Sequence, residues 1–134
     1  MGEHELKVVE GIAADRPAMV RLLSADEGQL ALEAPKDEGK VQRVDFPRSL
    51  AGPIAAAVRD IVAEEETEEV ELAADGETIY IHPVTHPFGC DAMVENRARH
   101  PRGYAHQAQH VMLSYELAPQ VADALDAAAG EPAA

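Results

Sequence analysis

Residues 81–110, IHPVTHPFGCDAMVENRARHPRGYAHQAQH, hold five of the chain's six histidines and its only cysteine. Imidazole and thiolate are preferred zinc ligands, and a closed tetrahedral site takes four such groups. Cys90 with any three of His82, His86, His106 and His110 supplies one thiolate and three imidazoles. With one position left to water, three histidines, or two with Asp91, would form a catalytic centre in which the metal acidifies that water. The spacing matches no zinc finger, ribbon or His-Glu-x-x-His pattern. The pointer to metal is therefore the density of ligand types.

Backbone chemistry restricts how these groups can meet. His82, His86 and His100 each precede a proline, which drives its predecessor out of the α region. His82, His86 and Cys90, four apart, thus cannot share one helix face, and any convergence needs a looping chain. His106 and His110 are also four apart, with no proline between them. On a helix their Cβ atoms would lie about 5–6 Å apart. On a strand the same four residues span roughly 13 Å and cannot chelate together.

Two other chemistries use the same segment. A short helix through FGCDAMVENRAR would place Cys90 at its N-terminus, where the dipole favours a nucleophilic thiolate, with His106 or His110 as base. Asp91 opposes that thiolate. Arg97, Arg99 and Arg102 outnumber Asp91 and Glu95 locally, in a chain whose net charge is −14. Such an island would draw an anionic substrate or an acidic partner surface, unless the arginines pair with the chain's own carboxylates. The alternative to all chemistry is a long connection whose extended His-Pro steps lie across another subunit.

The flanking elements read as sheet and helix. Leu6 to Ile12 forms a strand. A hairpin around Asp26-Glu27-Gly28 sets Leu22 against Leu32 and Val20 against Ala34, with Gly28 left-handed. A turn follows at Lys36 to Lys40, then a strand at Val41 to Phe46. Leu50, Ile54, Val58, Ile61 and Val62 recur at helical spacing, and the helix ends near Val62 or Ala63. The run Glu64-Glu65-Glu66 faces the negative end of the helix dipole, which makes it a solvated connector. Asp75-Gly76 is a two-residue hairpin turn pairing Leu72 with Ile79, Val70 with Ile81, and Glu69 with His82. Val111 to Leu117 alternates as a strand. A short helix with Pro119 in its first turn and Gly130 past its end precedes a frayed tail, 131–134. Strands then a helix occur twice over, without a convincing sequence repeat.

Composition sets the class. A chain of 134 residues suits one domain. With no tryptophan and few aromatics its core must be aliphatic. The negative charge disfavours nucleic acid and anionic membranes, one cysteine allows no internal disulfide, and no stretch approaches membrane-spanning length. These features predict a cytoplasmic α+β domain with an antiparallel sheet of six or seven strands and two helices on one face. The segments 6–63 and 69–130 form its two parts. The leading functional expectation is divalent metal binding, zinc by default, with Glu69 orienting His82. The alternatives are a non-enzymatic assembly or adaptor protein, forming a homo-oligomer or binding a protein partner through 81–110, and a Cys-His enzyme for an anionic small molecule.

Overall fold

The computed structural model describes residues 3–25, 28–35, 39–99 and 108–130. Eight strands form one antiparallel sheet: β1 (His4–Ala13), β2 (Arg16–Ser24), β3 (Gln29–Pro35), β4 (Val41–Pro47), β5 (Val70–Ala74), β6 (Glu77–His86), β7 (Gly89–Asn96) and β8 (Gln109–Leu113). Two helices, α1 (Ala51–Val62) and α2 (Ala118–Ala129), complete the fold. The spatial order is β1-β2-β3-β4-β8-β7-β6-β5. Each half is thus a four-stranded meander followed by a helix, and the two meanders meet where β4 lies beside β8. The α+β class and two-helix layout agree with the sequence reading, with one strand more than expected.

The additional strand is β7. Cys90, Ala92, Val94 and Asn96 are buried, while Gly89, Asp91, Met93 and Glu95 are half-exposed. The helix expected through FGCDAMVENRAR is therefore absent, and residues 81–96 are hairpin rather than connection. Pro83 is tolerated in β6 because β5 pairs no further than Ile81. Ladder bonds alternate in direction along an antiparallel strand, so the position of Pro83 faces the side where no neighbour needs an N–H. β8 starts two residues earlier than expected and stops at Leu113. The ladder between β2 and β3 runs only from Arg21 to Ser24, so Val20 and Ala34 do not pair. Gly28 has the predicted left-handed φ of 76°, while Asp26-Glu27, 36–38 and the tail 131–134 lie outside the described residues.

The hairpin at Asp75-Gly76 carries the predicted register, Leu72 to Ile79 and Val70 to Ile81. Ala14-Asp15 makes the corresponding turn in the first half; both residues of each turn have positive φ, as a mirror-image turn requires.

The last strand and helix of the two halves also match at several sequence positions. Laying 41–63 on 108–130 superposes Gln42 on Gln109, Val44 on Val111, Leu50 on Leu117, Ala51 on Ala118, Ala55 on Ala122 and Ala57 on Ala124. Both helices then start and stop together. The seam obeys the same relation. Arg43 and His110 are its only ladder pair among the described residues. Beside it, Gln42 Oε1 accepts the Met112 N–H at 3.0 Å and Gln109 Oε1 accepts the Asp45 N–H at 2.9 Å. Met112 and Asp45 are themselves equivalent under the overlay. Two amide side chains thus replace ladder bonds where the strands diverge, satisfying backbone groups that would otherwise be orphaned.

Each helix packs mainly across the seam. α1 lies on β6 and β7, α2 on β1 and β2, and the helices lie on each other. Phe46, Leu30, Leu32, Ile54, Ile61, Ile79, Ile81 and Leu125 are fully buried between the layers, each worth about 1.5–3 kcal/mol on burial. No described element covers the opposite face of the sheet.

Candidate functional site

Strand alternation divides the candidate ligands between two faces. In β6, Ile79 and Ile81 point to the helices, so His82 and His86 point to the uncovered face. Cys90 is only 4 % exposed and belongs to the core cluster under the helices. His110 is on the uncovered face, beside Arg43 and Glu95. His82 and His86 sit four residues apart on an extended strand, roughly 13 Å by strand geometry. His106 and His100 lie outside the described residues.

No group of three or more His, Cys, Asp or Glu side chains positioned to hold a metal occurs among the described residues. The metal-centre reading is therefore corrected. Its premise was a looping backbone, and the pleated sheet instead sends Cys90 to one side and His82, His86 and His110 to the other. The nucleophile reading loses its geometry too, since Cys90 is the second residue of a strand rather than the start of a helix. Its sulfur lies 4.0 Å from Thr85 Oγ1 and 3.6 Å from the Asp91 carbonyl oxygen.

Asp91 has a clear structural role. One oxygen, Oδ1, accepts the Tyr115 backbone N–H at 2.9 Å and lies 3.2 Å from His86 Nε2. The His86 ring sits 5.6 Å from that of Tyr115 and 6.4 Å from that of Phe88, centroid to centroid. Tyr115 covers Gly89 so closely that a Cβ there would lie 2.8 Å from its ring. Together these groups brace the β6–β7 turn, from which Phe88 projects with 82 % of its surface exposed.

Along the same face run Tyr80, His82 and Val84 of β6, Met93 of β7, and His110 and Met112 of β8, all half-buried. His82 and Met93 are cross-strand partners, as are Met93 and Met112. The Nε2 atom of His82 is buried without a hydrogen-bond partner among the described residues. Sequence reading missed Phe88, Met93, Met112 and Tyr115; the polar-apolar alternation of GCDAMVEN was the available signal.

The arginines singled out from the sequence face carboxylates of this chain. Arg97 pairs with Glu95 at 2.7 Å and with Glu69, and stacks 3.8 Å above the Tyr80 ring. Glu69 thus serves Arg97 rather than His82. Arg99 donates from Nε to Glu77 at 2.8 Å. Arg102 lies outside the described residues. Arg99, then the Gln29 and Asn96 amides, hold the Glu77 carboxyl below the usual carboxylate range.

The first half fills its part of the face differently. Arg21 pairs with Glu33 and lies 3.6 Å from Glu5, while Arg43 joins Glu3, Glu33 and Asp45. Beyond them, where β2 leaves β3, a cleft of about 1020 Å³ is lined by Ile12, Pro17, Met19, Pro35, Gln42 and Met112 among others. Among the described residues, no histidine or cysteine lines it.

No helix among the described residues is long and apolar enough to cross a membrane. No family model matches the chain, and no curated protein matches it by sequence. Among solved structures it is similar to one described under mutations in SsgB that correlate to longitudinal cell division during sporulation of Streptomyces coelicolor. The identity is 12 %, over 95 % of this chain and 87 % of that one, with a TM-score of 0.39. A likeness that loose assigns neither partner nor role.

Proposed function

We propose that the protein is a non-enzymatic assembly module that associates with a second copy of itself through the uncovered face of β6, β7 and β8. The observation that carries this reading is the continuous strip of Val84, His82, Met93 and Met112, ending in the exposed Phe88. Solvent-facing sheets usually carry polar residues there, and aromatic and methionine side chains are enriched in protein contacts. Charge favours a second copy. The acidic excess of the chain lies outside 81–110, where three arginines oppose two carboxylates. On this face Glu95 is paired with Arg97 and Asp91 holds the Tyr115 N–H, so two copies meet there without a row of unpaired glutamates between them. In the first half the same face is filled by the ion pairs of Arg21 and Arg43 rather than by apolar side chains. A reducing, cytoplasmic setting suits the lone cysteine.

Light scattering after size exclusion tests the reading. The parent protein should run as a dimer or larger at tens of micromolar, on the order of the affinities such faces reach. Phe88→Ser and Met93→Glu should each shift it toward monomer without unfolding it. A parent protein that stays strictly monomeric overturns the proposal.

A further inference from the structure

The two outer strands of the sheet are guarded unequally. β1 has a register shift between Glu5 and Lys7 and a lysine within it, devices that discourage another strand from joining. β5 has no bulge, lysine or proline. Because Asp75-Gly76 is a two-residue turn, Ala74 and Glu77 form the first bonded pair of the hairpin, and Leu72 and Val70 likewise turn their backbone groups toward β6. Glu71 and Ala73 turn theirs outward, leaving two N–H and two C=O groups along the edge. On the helix side Val70, Leu72, Ala74 and Val62 are only partly buried against the core. They form an apolar shelf that one more strand would cover.

Charge selects what can lie there. Glu64, Glu65, Glu66, Glu68, Glu69 and Glu71 lead into and along this edge, and among the described residues only Glu69 has an arginine partner. A second copy joining edge to edge would set one such row against another, and like charges facing across strands are destabilising. A strand bearing lysine or arginine at alternate positions meets the opposite field. Apolar residues at its intervening positions would sit on the shelf.

We propose that the β5 edge is a strand-addition site for a basic, extended segment of a partner protein. The partner backbone pairs with Glu71 and Ala73, its apolar side chains cover Val70 and Leu72, and its cations meet the glutamate run. This is a different surface from the self-association face, and the light-scattering result leaves it untouched.

The test uses a labelled synthetic peptide of alternating lysine and valine against the full chain, followed by fluorescence anisotropy and amide hydrogen exchange. Alternating lysine-glycine and glutamate-valine peptides serve as controls. The lysine-valine peptide should bind, protect the amides of Glu71 and Ala73, and weaken roughly tenfold or more when salt rises to about 1 M. Glu71→Lys should weaken it by a similar factor. Ala73→Pro should abolish it, and because that N–H faces outward the substitution removes no bond of the parent sheet. Binding of the lysine-glycine peptide as tight as that of the lysine-valine peptide would overturn the proposal. So would unprotected Glu71 and Ala73 amides in the bound state, undiminished affinity of the Ala73→Pro variant, or no binding of the lysine-valine peptide to the parent protein.

Discussion

The two halves of the sheet share one plan and differ in what they present, so each serves as a control for the other. The equivalent residues Val44 and Val111, Leu50 and Leu117, and Ala51 and Ala118 are all buried, while Gln42 and Gln109 both bridge the seam. These are the parts the architecture requires. On the uncovered face the equivalence fails. Arg43, a hub of ion pairs, corresponds to His110, and Asp45 corresponds to Met112. One half satisfies its own polar groups, while the other leaves methionine, imidazole and phenyl surface toward solvent. The difference is why the proposed contact face is assigned to the second half, since fold stability alone does not account for it.

The comparison can be broken most forcefully at the seam. Gln109 donates from Nε2 to Asp45 Oδ2 at 2.7 Å as well as accepting the Asp45 N–H, and both residues are buried. Gln109→Leu should cost about 2–4 kcal/mol in urea unfolding, by orphaning the Asp45 N–H and leaving Asp45 Oδ2 only the longer bond from Arg43 Nε at 3.3 Å. Gln42→Leu should cost nearer 1 kcal/mol, since Met112 needs only its N–H satisfied. Equal losses would show that the carboxylate does not make the halves unequal. Next comes the hub: Arg43→Met strips the cation from Asp45, leaves Glu33 with Arg21 alone, and should cost about 2–3 kcal/mol. The equivalent His110→Met should change stability by less than about 1 kcal/mol, and a larger effect would mean that the second half is also self-satisfied.

Acid sharpens the contrast. The folded Glu77 carboxyl titrates below its unfolded value, so the unfolded chain takes up the proton first as pH falls. The stability gained from Arg99 is fully present above the unfolded value and is lost as pH drops through the folded one. Glu77→Gln should lower stability at neutral pH by about 1–2 kcal/mol and flatten the acid limb of a melting-temperature series. An unchanged limb would remove Glu77 from the account. The smallest effect is expected at Glu64, which holds a φ of 60° just past α1. The Glu65 N–H reaches the Asp60 carbonyl and the Glu64 N–H that of Ile61, a helix ending that normally uses glycine. Glu64→Gly should therefore raise stability by about 0.5–1 kcal/mol, and a loss would show that the carboxylate itself stabilises this end.

Local signals were legible in the chain and long-range ones were not. The Asp75-Gly76 turn fixes its own register, and Ile54, Val58 and Ile61 mark α1 by spacing alone. β7 escaped because alanine and cysteine carry its inward positions, and prolines upstream suggested a loop. Pro83 is harmless only because β5 has already ended, a fact about a neighbouring strand. The correspondence between the halves was hidden because its shared residues are mostly small. The glutamine bridges depend on partners far along the chain, which no local pattern announces. Separation of Cys90 from the histidines follows at once from strand pleating, once β6 and β7 are known to be strands.

β8 is the final strand in the sequence, yet it lies in the middle of the sheet, and each helix rests mainly on the meander of the opposite half. As the polypeptide leaves the ribosome, the second meander finds α1 already made, whereas the first stays uncovered until α2 has emerged. Folding should then be one concerted event, with no durable half-folded species. A two-step denaturation curve would contradict that order.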